Sequence, residues 1–187
     1  MTKTGRAAVS FGPGRMEIRE YPVLAPEADQ ALIRVTMATI CGSDLHAWRG
    51  EMASIVPLKA GEAKPEPKAS IGGHEMTGYV EALGKGWATD TLGRPLKEGD
   101  RVAFSFFNPC GKCWACLSNT ARCPNRYRLR APAEVAPHFH AAYAEYHMAK
   151  PGQWVFKVPD DPSTGSGGPL PDELVAPANC ALAQVLY

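Results

Sequence analysis

Gly73-His74-Glu75-Met76-Thr77-Gly78-Tyr79-Val80-Glu81-Ala82-Leu83-Gly84 holds a strand signal, His74 to Leu83, closed at each end by glycine. Toward the C-terminus, Gly84, Gly86, Gly93 and Pro95 mark turns before a second strand signal over Asp100–Phe106. Toward the N-terminus, Gln30–Ile40 reads as a longer strand with Leu32, Val35 and Met37 as its apolar members. Arg6–Phe11 and Met16–Tyr21 flank the turn Gly12-Pro13-Gly14 and read as a hairpin. Ala141–Met148 and Trp154–Val158 add two more strands. A short helix is expected over Asp44–Arg49, and Pro171-Asp172-Glu173-Leu174 opens a second that runs on toward Tyr187. The expected fold is mainly β, with short helices, long loops and no internal repeat.

The chain has 187 residues, enough for one domain or one and a fragment, with a core that needs no staples. Its 18 glycines and 17 prolines favour strands and loops over helix bundles. Twenty basic and 19 acidic side chains leave a net charge of +1, which argues against a general nucleic-acid binder. No apolar run approaches the roughly 20 residues that span a bilayer. MTKTGRAAVSFGPGR has no apolar h-region, so the expected compartment is the cytoplasm. Lys59–Lys68 is a polar, Pro-bearing loop, and Ser163–Gly168 is a flexible tract.

Six cysteines in a reducing compartment point to metal ligands or catalytic groups rather than disulfides. Cys110, Cys113, Cys116 and Cys123 supply four soft ligands in one short loop, and Pro109 and Gly111 allow its tight turns. Four thiolates at this density repel one another unless a cation holds them, and zinc closes such a set into a tetrahedron. Free cysteines, a dithiol redox pair and an iron–sulfur cluster are the alternatives. So is a zinc ribbon gripping nucleic acid through Arg122, Arg126, Arg128 and Arg130, against which the near-neutral charge weighs. Cys41, His74 and Cys180 are dispersed, and each alone reads as a buried thiol or a loop imidazole. Together they supply two sulfurs and a nitrogen, a set that leaves a coordination position open.

Cys41-Gly-Ser43-Asp44-Leu-His46-Ala-Trp48, then Gly73-His74-Glu75 through Gly84, then Gly99-Asp100-Arg101-Val102, the four-cysteine loop and Cys180 follow in an order that resembles the zinc-containing medium-chain alcohol dehydrogenases. The resemblance runs from about Arg6 to Tyr187. It implies a GroES-like catalytic domain, a partly open β-barrel, over residues 1–170, with a structural-zinc lobe at about 108–126. Residues 171–187 would begin the helix leading to a cofactor domain.

The resemblance also implies roles. Cys41, His74 and Cys180 match the catalytic-zinc ligands, and Cys110, Cys113, Cys116 and Cys123 the structural-zinc ligands. Ser43 matches the hydroxyl that meets the alcohol oxygen, and His46 the outer member of the proton relay. Asp44 matches a carboxylate that orients a ligand, and Glu75 one that approaches the metal during ligand exchange. Trp48 falls where the substrate pocket is lined. The implied reaction takes an alcohol to an aldehyde or ketone, with zinc as Lewis acid and NAD or NADP as hydride acceptor. Helix capping is the plainer role for Ser43 and Asp44, and a solvated surface imidazole for His46. His138, His140 and His147 match no motif position and are expected to be structural or exposed.

Three departures stand out. Family members are about twice as long and carry a Rossmann domain. Here Gly84-Lys-Gly86 lacks the third glycine of a phosphate loop, and Gly165-Ser-Gly167-Gly168 runs into Pro169, so the cofactor half is expected to be absent from this chain. The chain also lacks the family's returning C-terminal strands, so exposed edges and an unpaired helix face are expected. The Cys116–Cys123 interval is one residue short of the family's, which threatens strain in the lobe. The long Cys41–His74 interval suggests that Lys59–Lys68 is an added lid or a substrate-shaping segment. A non-enzymatic zinc-stabilised β-domain, or an inert fragment, is the alternative function.

Overall fold

A computed structural model describes residues 2–51, 68–105, 108–118, 123–126, 131–159 and 170–182. Among the described residues, eight strands form two antiparallel sheets. The first sheet has the order β2-β1-β4, from β1 (Thr4–Gly12), β2 (Arg15–Pro22) and β4 (Ser70–Ile71). The second has the order β7-β3-β5-β6-β8, from β3 (Ala31–Thr39), β5 (Glu75–Leu83), β6 (Arg101–Phe104), β7 (Tyr146–Ala149) and β8 (Val155–Lys157). The sheets do not close on each other, which is the open barrel that the motifs imply. Three short helices, α1 (Gly42–Trp48), α2 (Trp114–Ser118) and α3 (Asp172–Pro177), complete the described elements.

Alternation explains β1: Gly5, Ala7 and Val9 point inward, while Thr4 and Arg6 point out. The edge strand β2 is exposed along most of its length and carries Arg15, Glu17 and Arg19 in a solvated ion-pair row, the charge that keeps an edge from pairing further. β5 lies in the middle of its sheet, and its first four residues are buried. The core has two clusters, one around Val9, Ile71 and Phe139 and one around Ile33, Met76, Val102, Phe104 and Val155. Tyr143 packs against both.

The β3–β5 ladder is interrupted twice. Leu32 pairs with Ala82 and Ile33 with Val80, which leaves Glu81 as an extra residue. Val35 pairs with Gly78 and Met37 with Thr77, which leaves Thr36 extra on the other strand. At the second bulge the strands close in: a Cβ on Gly78 would lie 2.3 Å from the Arg34 carbonyl oxygen.

Some boundaries differ from expectation. The expected strand over 141–148 is formed only at Tyr146–Ala149. Its first residues cross between the sheets, with Ala8 donating to the Tyr143 carbonyl and the Tyr143 amide donating to the Gly72 carbonyl, so no continuous ladder forms. The helix expected to run on from Leu174 stays α-helical only to Pro177, then widens into a π-helical turn over Ala178–Leu182. Pro177 has no N–H to donate back along the helix, and the wider turn follows from that break. The expected lid and the 163–168 tract fall almost wholly outside the described residues. No helix among them is long and apolar enough to cross a membrane.

Candidate metal centres

The lobe is built by α2 and the turns before it. Gly111 adopts φ +72, which bends the chain between the first two cysteines. The sulfurs of Cys113 and Cys116 lie 3.5 Å apart, Cys113 and Cys123 3.8 Å, and Cys110 and Cys116 3.9 Å. All four lie within 4.8 Å of one another, so the short last interval still delivers its sulfur to the cluster. The Lys112 amide and its neighbours hold the Cys110 thiol down to about 6, while burial and the adjoining thiols push Cys116 up to about 12. A donor set of four converging thiols fits zinc.

The second centre joins three parts of the chain. Cys41 is the N-cap of α1, His74 enters β5, and Cys180 sits in the π-helical turn. Their ligand atoms and a carboxylate oxygen of Glu75 all lie within 4.8 Å of one another, with 3.9 Å between the two sulfurs. His74, Glu75 and Cys180 are buried. Glu75 Oε2 accepts a hydrogen bond from Thr39 Oγ1 at 2.5 Å, whereas Oε1 is buried with no hydrogen-bond partner among the described residues. Burial, then the neighbouring Cys41 and Glu75, push the Cys180 thiol up to about 12. Two sulfurs, an imidazole and a carboxylate drawn together in a buried place are costly unless a cation neutralises them, so this set also fits a metal ion.

Asp44 lies beside this centre. Its Oδ2 accepts from the Cys41 amide at 3.0 Å, which is a helix-capping contact, and from Tyr143 Oη at 2.8 Å. Its Oδ1 lies 3.8 Å from His74 Nδ1. Burial and the Asp44 carboxylate raise Tyr143 well above the usual phenol range, so it stays protonated and donates. Ser43 occupies the first turn of α1, half-buried.

The structure does not bring His46 or Trp48 into the ligand cluster. His46 is exposed at the end of α1, its Nδ1 2.5 Å from Glu51 Oε2. The chain turns back there: Gly50, at φ +76, donates to the Ala47 carbonyl, and Glu51 to that of His46. Trp48 lines an apolar groove of about 690 Å³ with Met16, Ile18, Ile40 and Leu45.

α3 carries Cys180 into place. The Thr36 hydroxyl donates to Asp172 Oδ2 at 2.6 Å, and the buried Arg101 guanidinium pairs with Asp172 and donates to the Leu170 carbonyl. Asn179 Nδ2 donates to the His74 carbonyl at 3.0 Å. Sequence reasoning missed Tyr143, Thr39, Glu51, Asp172 and Asn179, whose partners lie in other segments or around a turn and carry no short motif. His138, His140 and His147 are structural as expected: His138 stacks on Tyr21, His140 Nε2 meets the Val135 carbonyl at 2.8 Å, and His147 Nε2 meets Gln153 Oε1 at 2.9 Å.

An open antiparallel barrel with a four-cysteine lobe and a buried Cys/His/Glu cluster defines a GroES-like domain built around metal. The sequence profile of the alcohol dehydrogenase GroES-like domain matches residues 27–160, and the chain belongs to this family. A 5-exo-hydroxycamphor dehydrogenase of Pseudomonas putida is 32% identical over 183 residues, 97% of this chain and 44% of that protein. An uncharacterized zinc-type alcohol dehydrogenase-like protein of Escherichia coli is 33% identical over 168 residues, 89% of this chain and 42% of that one. An alcohol dehydrogenase of Thermotoga maritima superposes with a TM-score of 0.73 at 26% identity, over 97% of this chain and 46% of that structure. The chain thus spans less than half the length of these relatives.

Proposed function

We propose that this chain is the metal-binding catalytic domain of a zinc-dependent alcohol dehydrogenase that interconverts an alcohol with an aldehyde or ketone using NAD or NADP. The convergence of Cys41, His74, Glu75 and Cys180 within 4.8 Å carries the reading. Residues 1–170 form the catalytic domain, and 171–187 lead toward a cofactor-binding partner domain. The exposed apolar side chains of Leu170, Leu174 and Leu182 support that direction. Cytoplasmic residence is part of the proposal, supported by six cysteines that are all free.

Cys41, His74 and Cys180 would hold the catalytic zinc, with Glu75 at hand for ligand exchange, and Cys110, Cys113, Cys116 and Cys123 would hold the structural one. When bound, zinc supplies a Lewis acid for the substrate oxygen, and the nicotinamide supplies the hydride acceptor. Asp44 fixes the Cys41 amide and stands beside His74, which limits how far either ligand turns. Ser43 relays the substrate hydroxyl proton, its Oγ accepting that proton as it gives up its own. His46, three residues on and on the same helix face, receives it at Nε2 while Glu51 holds Nδ1. Trp48 and the apolar groove favour substrates with a hydrocarbon body.

Metal analysis tests this. Two zinc per chain are expected, falling to one in Cys41→Ser and to one, with loss of the other site, in Cys113→Ser. Retention of two zinc in Cys41→Ser overturns the reading. Two zinc without nicotinamide binding or turnover marks a catalytic half that is inert alone.

A further inference from the structure

Tyr143 touches the segments that deliver two of the ligands. Its amide donates to the Gly72 carbonyl at 3.0 Å, and its own carbonyl accepts from Ala8 at 2.8 Å, so its backbone is clamped between β1 and the approach to His74. Its ring covers Gly73: a Cβ there would lie 2.6 Å from a ring carbon. Its hydroxyl reaches Asp44 Oδ2, the same oxygen that takes the Cys41 amide, while Asp44 Oδ1 faces His74. A half-buried phenol with two side-chain torsions, wedged between two core clusters, is a rigid strut.

We propose that Tyr143 is a positioning residue for the catalytic metal centre, its hydroxyl fixing the Asp44 carboxylate and thereby the approach of Cys41 and His74. The inference rests on the reading of Cys41, His74 and Cys180 as metal ligands. Its physical basis is that groups behind the ligands restrict their rotation and are felt as affinity. Without the hydroxyl, Asp44 Oδ2 keeps, among the described residues, the Cys41 amide alone, and the carboxylate is free to swing from His74.

Cobalt(II) titration of the 187-residue chain, read by its d–d absorption and by competition with a chelator, tests this at both centres at once. Tyr143→Phe keeps the ring. It is expected to weaken the centre containing Cys41 about tenfold, within the 10–100-fold range for such outer groups, and to alter that centre's absorption bands. The lobe should keep its affinity and serves as the internal control. Asp44→Asn should weaken the same centre, and adding Tyr143→Phe to it should cost little more. Wild-type affinity and spectrum in Tyr143→Phe, or a full further loss in the double variant, overturns the proposal. If Tyr143→Phe does not fold, Asp44→Asn still decides, since an unchanged centre there overturns it too. Wild-type protein that binds only one cobalt overturns the underlying reading instead, so the two failures are told apart.

Discussion

A methyl group at position 73 has no room. Gly73 sits at φ +81 with the Tyr143 ring against it, and His74 follows directly. Gly73→Ala strains the left-handed backbone and must also push the ring away, at a cost of about 1–3 kcal/mol. A lower urea midpoint, with metal lost from the Cys41 centre before the lobe, is the expected result; an unchanged midpoint would show that neither the backbone nor the ring resists the change. At the other end of the site, the His46–Glu51 pair is exposed, and such pairs contribute about 0–1 kcal/mol. Glu51→Gln should therefore leave thermal unfolding almost unchanged. Any loss of proton transfer in that variant would report the orientation of His46 rather than the stability of the fold.

At the scale of elements, the bulge at Thr36 and the start of α3 form one joint. Asp172 accepts from Thr36 and pairs with Arg101, whose side chain is only 5% exposed. Asp172→Ala leaves a buried guanidinium without its partner, a change that costs on the order of 3–5 kcal/mol. Thr36→Val removes one hydrogen bond, worth about 1 kcal/mol. Denaturant unfolding should show that ratio, and Asp172→Ala should also release metal from the centre that Cys180 completes. Of this joint only the start of α3 was legible in the sequence, and its pairing with Thr36 and Arg101 was not. The cysteines and histidine that the structure draws together were legible through the resemblance to a family, whose motifs Cys41-Gly-Ser-Asp, Gly-His74-Glu75 and the spaced cysteines match, whereas Cys180 stands alone in sequence and enters only with that resemblance. The strands around them were also legible, to within a few residues. Thr36, Arg101, Asp172 and Tyr143 act through partners 71 to 136 positions away or, for Tyr143, 99 away, and no local pattern encodes such distances. The 141–148 strand was overextended for the same reason: its first half serves β1 and Gly72 rather than a neighbour in a ladder.

His147 lies in the middle of β7. His147 is fully buried against Phe104, and burial lowers it to about 4, with Gln153 opposing. The unfolded imidazole titrates near 6.5, so between these values the unfolded chain binds more protons than the folded one. Stability from this residue is complete above about pH 6.5 and is lost as pH falls toward 4, up to about 3 kcal/mol. Burial lowers His140 as well, with the same sign. The urea midpoint should drop from pH 7 to pH 5, less steeply in His147→Gln. Equal slopes would place the acid sensitivity elsewhere.

Across the whole molecule, stability and metal are coupled, since each proposed ion ties loops that lack a continuous ladder. Chelation under reducing conditions should lower the thermal midpoint sharply; structural zinc contributes on the order of 10–16 kcal/mol apparent in small peptides. Without a reductant, the metal-free lobe should oxidise, its Cys113 and Cys116 sulfurs already 3.5 Å apart. An unaltered midpoint after complete metal removal would mean that the two sheets stand on their own packing. Beyond Pro159 the chain meets the barrel again through the Arg101–Asp172 pair, the Thr36 and Asn179 hydrogen bonds and the Cys180 cluster. If a protease severed the stretch between those points, the two fragments would remain matched halves of a lock, and zinc added to their mixture would act as the key that rejoins them.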